Sequence, residues 1–228
     1  MKAELSEIFE SIQGEGILLG VRQIFIRFAK CNLDCIYCDT PKDSKFCEDR
    51  ITKKRIKNPV SPEYVSKLID SVKVHSVSFT GGEPLLYTDF IREIRKVKPF
   101  YLETNMTLPE EAKKLKGLVD FVAGDFKVRE AIPNLDYEDI VARTVKCFKI
   151  LRNCRRRLTF CKIVLPERFD FEEVLSNAEM IKDYVQCFVL QPVFGQKNIK
   201  TLMDLQKRLM DIKDTRIIPQ VHKYLGVR

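Results

Sequence analysis

No apolar run in the 228-residue chain approaches the ~18 residues of a membrane-spanning helix. The opening stretch, MKAELSEIFESIQGEG, carries acids early and lacks the apolar core of a secretory leader. Both absences predict a cytoplasmic protein with no membrane partner. Internal repeats, low-complexity tracts and linkers are also missing, which predicts a single domain over residues 1–228. Histidine is scarce: only His75 and His222 are present, and neither lies near the clustered cysteines. No charge dominates, since 40 basic residues against 32 acidic ones leave a net +8. That balance is compatible with nucleic acid, with anionic small molecules, or with neither. Hydrophobic residues at 45% and charged residues at 32% argue against disorder. A chain of this size hides roughly 70% of its extended surface on folding, so one core suffices without covalent staples.

Eight cysteines in a reducing compartment are not a disulfide framework. They serve as buried thiols or as ligands to a soft metal centre. Cys31, Cys35 and Cys38 fall within eight residues, whereas Cys47, Cys147, Cys154, Cys161 and Cys187 are scattered.

Strand-like and helix-like runs alternate. Residues 21–30 (VRQIFIRFAK) read as a strand, and residues 61–72 as a helix with a serine cap and a proline in its first turn. Further strands are expected at 76–79, 100–103, 118–123, 158–164 and 185–190, with a short last one at 216–218. Helices are expected at 88–96, 109–116, 136–151, 171–182 and 199–210. Repeated βα units imply right-handed parallel crossovers and an α/β fold. About six such strands fit an incomplete (βα)6-type barrel, with a doubly wound sheet as the alternative. In either, chemistry gathers at the C-terminal ends of the strands. Unusual polar residues sit there: Cys31, then TGGE at 80–83, Thr104 and Asn105, the triplet Asp125, Phe126 and Lys127, and the pair Gln191 and Pro192. The basic segment 49–58 reads as a loop insertion.

The spacing C-x3-C-x2-C at 31–38 lets three thiolates hold three corners of a cubane 4Fe–4S cluster. The fourth iron is then free to take a small molecule. A zinc site completed by Cys47 and a set of plain buried thiols are the alternatives. With Tyr37 just before the last cysteine, the pattern resembles the radical S-adenosylmethionine (SAM) superfamily. The resemblance implies that SAM chelates the free iron and that one electron from the cluster releases a 5′-deoxyadenosyl radical. It also implies the superfamily's partial TIM barrel. TGGEP resembles the family's GGE motif, which cradles the SAM amino group: Gly82 lets the backbone approach and Glu83 offers charge to the ammonium. Glu103 and Asn105 end the next strand and are expected at the SAM ribose, although Met106 stands where the family often has glycine. Asp125, Phe126 and Lys127 resemble a Ser-Pro-Lys segment, with Lys127 facing the SAM carboxylate. Gln191 and Pro192 resemble a further cofactor contact.

The stretch EIFESIQGEG at 7–16 is unexplained by a glycine-turned hairpin alone, because Gln13 and Glu15 look buried between the glycines. It resembles the 7-carboxy-7-deazaguanine synthase family, as do Arg27, the CDT at 38–40, TGGEP and the terminal QVHK at 220–223. The likeness runs from Glu7 to Lys223. It implies conversion of 6-carboxy-5,6,7,8-tetrahydropterin to 7-carboxy-7-deazaguanine with ring contraction and loss of ammonia, as a precursor of queuosine or archaeosine. Ile12, Gln13, Gly14 and Glu15 would then meet the pterin edge, to which Gln13 presents donor and acceptor and Glu15 an acceptor. Arg27 would fork onto the substrate carboxylate. Thr80 and His222 would complete the substrate site, and Thr40, with Asp39, would hold Mg2+. An electron donor such as flavodoxin or ferredoxin and a homodimer are implied as well.

Other signals read as structural. The seven-residue spacing of Cys147, Cys154 and Cys161 crosses a helix and a strand and need not converge. Cys187 reads as core, Cys47 as a loop thiol and His75 as structural. The basic runs 53–55 and 155–157 read as solvated faces, with no nucleic-acid partner. Two competing functions remain at this point. One is an activase that places a glycyl radical on a partner protein, and the other is a zinc-bound basic RNA-binding protein.

Overall fold

A computed structural model describes residues 1–38, 40, 45–196 and 198–228. The chain opens with β1 (Leu5–Ile12) and β2 (Arg22–Phe28), an antiparallel pair, followed by the short strands β3 (Phe46–Asp49) and β4 (Lys54–Lys57). Regular alternation then begins: α1 (Pro62–Ser71), β5 (Ser76–Gly81), α2 (Thr88–Glu93), β6 (Phe100–Thr104), α3 (Pro109–Leu115) and β7 (Phe121–Asp125). It continues with α4 (Tyr137–Ile150), β8 (Leu158–Leu165), α5 (Phe171–Ile181), β9 (Phe188–Pro192), α6 (Ile199–Met210), β10 (Thr215–Ile217) and α7 (Val221–Leu225). The ten strands form one sheet in the order β10-β9-β8-β7-β6-β5-β2-β1-β3-β4. From β2 to β10 every neighbouring pair is parallel, so the sheet is the open, incomplete barrel that the alternation predicts. No helix among the described residues is long and apolar enough to cross a membrane.

The helices start where local chemistry tells them to. Ser61 accepts from the Tyr64 amide, and Pro62 occupies the first turn, where its missing N–H costs nothing. Asp136, Asp170 and Asn198 cap α4, α5 and α6 in the same way. Helices α1 to α6 lay apolar side chains on the outer face of the sheet, such as Val65, Leu68 and Ile69 from α1, and Leu202, Leu205 and Leu209 from α6. The outer face presents Val77, Phe79, Phe100, Leu102, Val122, Ile163 and Leu190 to them. Period-two alternation turns the intervening residues inward. Low in the barrel these are apolar: Tyr101, Ala123, Phe160 and Val189 form a second small core. One step higher they are Thr80, Glu103, Asp125, Lys162 and Gln191, and the barrel becomes polar.

Three expectations are corrected. Residues 49–58 are no loop insertion: β3 pairs parallel to β1 and antiparallel to β4, so this segment extends the sheet. Cys47 is therefore fully buried in β3 rather than a loop thiol. In the run 155–157, Arg155 and Arg156 are exposed, but Arg157 is buried. Its guanidinium donates to the carbonyls of Ile150, Leu151, Arg152 and Lys116 at 3.4, 3.1, 3.0 and 2.6 Å. It closes the C-terminus of α4, where carbonyls lack helical partners. Replacing Arg157 by Met is expected to cost about 2–4 kcal/mol, because several buried acceptors lose their donor. Urea unfolding checks this, with Arg156→Met as the silent control.

Candidate active site

A cavity of about 610 Å³ opens at the C-terminal ends of the parallel strands. The loop leaving β2 brings Cys31, Cys35 and Cys38 to one wall. The loop is pinned by the Ile36 amide on the Ala131 carbonyl at 3.1 Å and turned by the Cys38 amide on Cys35 at 3.0 Å. Burial pushes the Cys31 and Cys35 thiols up, although the Leu33 amide on Cys31 works against this. They are thus protonated at neutral pH, and metal loading releases their protons. Among the described residues, no three Cys, His, Asp or Glu side chains converge on a single-ion site. Cys31, Cys35 and Cys38 all line one cavity wall. Cys47, sealed in β3, cannot complete a zinc site with them.

The second motif is built against this loop. Gly81 adopts φ +95°, which favours glycine, and a Cβ on Gly82 would lie 2.0 Å from the Lys30 carbonyl oxygen. The Gly82 amide donates to Phe28 and the Glu83 amide to Lys30, both at 2.8 Å. The glycines therefore fix the residue that precedes Cys31. Glu83 differs from its expected place. Its carboxylate is fully buried beneath the cavity and accepts from Thr104 Oγ1 at 2.7 Å and from the amides of Asn105 and Leu85 at 2.8 and 2.9 Å. It organises the end of β6 rather than facing the cavity. Asn105 Nδ2, held there, reaches Asn32 Oδ1 at 2.9 Å and Cys31 Sγ at 3.7 Å. Met106, where glycine was the family expectation, has φ +58°. It accepts a left-handed backbone and buries its side chain completely, next to Gly124 and Phe148. The strain of about 1–2 kcal/mol is offset by burial worth about 1.5–3 kcal/mol.

Burial pushes the Glu83 carboxyl up to about 7, against the three hydrogen bonds that favour its charged form. A raised carboxyl binds its proton more tightly in the folded than in the unfolded chain. Folding stability therefore falls as pH rises from 4.5 to about 7, and the contribution is fully present below 4.5. Subtracting the stability profile of Glu83→Gln from that of the parent chain, both metal-free, is expected to leave this slope. A flat difference would contradict it.

At the same end of the barrel, Lys127 Nζ pairs with Asp125 Oδ2 at 2.7 Å and lies 5.4 Å from the Tyr37 ring centre. Burial opposes the Lys127 charge, but the Asp125 carboxylate holds its pKa well above the ordinary value. Gln191 lines the cavity, whereas Phe126 and Pro192 do not. Alternation sends Phe126 outward, where it stacks on Phe148; Pro192, next after Gln191 on β9, is likewise off the cavity wall.

The other half of the cavity is made by the segment after β1. Gln13 Nε2 donates to Gln23 and to Glu103, both at 3.0 Å, and its oxygen accepts from the Glu15 amide at 3.0 Å. Its side chain is thus committed to the wall. Glu103 also accepts from Thr80 Oγ1 at 2.6 Å. Glu15 takes Lys162 Nζ at 2.7 Å and Gln220 Nε2 at 2.8 Å. Burial would raise its carboxyl, but the Lys162 charge and hydrogen bond, helped by Gln220 and His222, hold it at about 2. Ile12 and Gly14 line the cavity beside them, and a Cβ on Gly14 would overlap the His222 ring at 2.3 Å. His222 is brought in by α7, which is tied down by the Val221 amide on Gly14. Arg27 Nη1 donates to Glu7 at 2.9 Å, and the same buried carboxylate takes Arg50 and Arg228, each at 3.0 Å. Thr40 lines the cavity, its hydroxyl 3.4 Å from the Gly81 carbonyl. Asp39 lies outside the described residues.

Asp125 Oδ1, Gln191 Oε1 and Arg27 Nε are buried without a hydrogen-bond partner. Such orphans are rare in native interiors. Two acceptors on the cluster side suit a guest with amino and hydroxyl donors, and one guanidinium donor suits a carboxylate. The residues present therefore fit an iron–sulfur cluster at the thiols and SAM beside it.

The sequence reading missed Lys162, Glu7 and the wall role of Gln13. Lys162 carried a signal: a lysine inside the apolar run TFCKIVL at 159–165 must be paired if the strand is buried.

The sequence pattern of the radical SAM superfamily matches residues 25–209, and the chain belongs to that superfamily. A 7-carboxy-7-deazaguanine synthase of Archaeoglobus fulgidus is 63% identical over 229 residues, covering 100% of both chains. One from Methanothermobacter thermautotrophicus is 35% identical over 250 residues, covering 100% of this chain and 99% of the other. Within the superfamily the chain belongs to the 7-carboxy-7-deazaguanine synthase family. The crystal structure of QueE from Escherichia coli shares the fold, with a TM-score of 0.58, 19% identity, and coverage of 97% of this chain and 95% of that one. Streptococcus suis SuiB bound to its precursor peptide SuiA gives a TM-score of 0.59 at 12% identity, covering 83% of this chain and 46% of SuiB. The activase alternative is set aside by the family, and the zinc alternative by the position of Cys47.

Proposed function

We propose that the chain is a radical SAM lyase that converts 6-carboxy-5,6,7,8-tetrahydropterin to 7-carboxy-7-deazaguanine and ammonia. The observation that carries this reading is the two-ended cavity. Cysteine thiols and the Gln191 oxygen, which has no hydrogen-bond partner, stand at one end, and a paired glutamate and an arginine at the other. Cys31, Cys35 and Cys38 would hold the 4Fe–4S cluster, which with SAM supplies the one-electron chemistry that starts the reaction. Gly82, Asn105, Asp125, Lys127 and Gln191 would bind SAM, with Glu83 fixing the Asn105 backbone. Glu103, hydrogen-bonded to Gln13 and Thr80, would set the wall between the two ends. Glu15 would accept from the amino-pyrimidinone edge and Arg27 would donate to the carboxylate. His222 would close the cavity over the pterin and exclude water. Thr40 would be a magnesium ligand.

Exposed Cys31 and Cys38, with Ile36 at 63% exposure between them, leave the cluster loop open to a flavodoxin- or ferredoxin-type donor. Exposed apolar side chains on α6 and α7, such as Met203 and Leu225, suit a homodimer. Anaerobic incubation of reconstituted, reduced protein with SAM, Mg2+ and the pterin is expected to give the deazapurine by mass spectrometry. A sample that holds its cluster and binds SAM, yet forms none, would refute the reading.

A further inference from the structure

A lysine sits in the barrel's polar layer, bonded to Glu15 and standing between the two ends of the cavity. Lys162 lies on β8, in register with Asp125 on β7 and Val189 on β9, and is buried. Its ammonium group is 2.7 Å from Glu15 Oε2 and 3.6 Å from Asp125 Oδ1. Glu15 stands at the proposed pterin end and Asp125 at the SAM end. The opposite oxygens of these carboxylates are taken by Gln220 and Lys127, each on the far side from Lys162. A row thus runs Gln220, Glu15, Lys162, Asp125, Lys127, with its two lysines buried, and ends on the face of Tyr37 in the cysteine loop.

We propose that Lys162 is a positioning residue that keeps Glu15 ionised for the pterin and ties it to the Asp125 wall of the SAM end. The inference rests on the reading of the cavity given above. The groups facing Glu15 make the case for Lys162 in particular. Gln13 gives only its amide oxygen to the Glu15 backbone, and Gln220 is neutral. His222 from α7 adds a weaker influence than the lysine. Asp125, Glu103 and the buried Tyr101 sit around Lys162, and the two carboxylates repel a second negative charge. Without Lys162, burial and these carboxylates would all drive Glu15 to take up a proton. A protonated Glu15 offers the amino-pyrimidinone edge one acceptor fewer. An apolar residue would fill a buried strand position without the cost of burying a charge.

The test uses the full-length protein and two readouts. The first needs no ligand: carbon-13 NMR of labelled glutamate carboxyls, with Glu15→Gln identifying the resonance. In the parent chain Glu15 is expected to stay ionised from about pH 5 to 9, whereas in Lys162→Met it titrates inside that window. The second is anaerobic binding of 6-carboxytetrahydropterin, expressed as the variant-to-parent ratio. In Lys162→Met this ratio is expected to worsen by about tenfold per pH unit below the new Glu15 midpoint. Lys162→Arg should restore a level ratio. The pair Glu15→Gln with Lys162→Met removes one charge of each sign and should fold with a level ratio, which guards against misfolding of the single variant. A merely structural lysine would lose pterin equally at every pH. That outcome, or a Glu15 that stays ionised in Lys162→Met, would overturn the inference. If Glu15 titrates as expected but the parent chain makes no deazapurine, the functional reading fails and the role of Lys162 stands.

Discussion

Gly82→Ala is expected to reduce cluster loading by about tenfold or more, because overpacking against backbone costs about 1–3 kcal/mol. The added methyl would lie 2.0 Å from the Lys30 carbonyl oxygen and 2.5 Å from its carbon. Neither atom is the end of a flexible side chain, so the backbone itself must move. Lys30 is the residue before Cys31, and the Glu83 amide is bonded to the same carbonyl. Displacing it shifts the first thiol and loosens the turn that carries Glu83 together. Iron and sulfide content after anaerobic reconstitution measure the effect. Gly117→Ala is the control, since nothing lies within 4 Å of a Cβ there. Normal iron content in Gly82→Ala would show that the glycine turn does not fix the cysteine loop.

The second large effect is expected at the opposite end of the cavity. Arg27→Met should lower kcat/KM for the pterin by about 10²–10³, the usual cost of truncating one partner of a buried charge pair. The loss is double-sided. The substrate carboxylate loses a fork of donors, and Glu7 behind it loses one of its three arginines and repels the substrate more strongly. SAM binding, carried by the other half of the cavity, should be unchanged. A KM within threefold of the parent value would remove Arg27 from the substrate site.

Much of the barrel was legible because period-two alternation and polar strand ends are local signals. Thr80, Gly81, Gly82 and Asn105 lie at strand ends, and the structure brings them to one cavity with the cysteines. What local pattern could not show is depth. Glu83 reads as a ligand contact by its position, yet two donors from the end of β6 and the Leu85 amide of its own turn draw it beneath the floor. Phe126 sits in the right triplet but on the outward phase of the chain, and so it joins the core. Residues 49–58 looked like a loop because their charges hide the alternation of two short strands, and only pairing with β1 reveals them. Arg157 looked like surface charge until four carbonyls from the end of α4 and beyond were seen to converge on it. Pairings across long sequence separations, such as Glu15 with Lys162, belong to the tertiary fold alone.

The most direct measurement is electron paramagnetic resonance of the reduced, reconstituted protein before and after SAM is added. A single cubane signal whose g-values shift on SAM binding is expected, because three protein thiols leave one iron open to it. A spectrum unchanged by saturating SAM, or an iron centre already ligated by a fourth side chain, would contradict it.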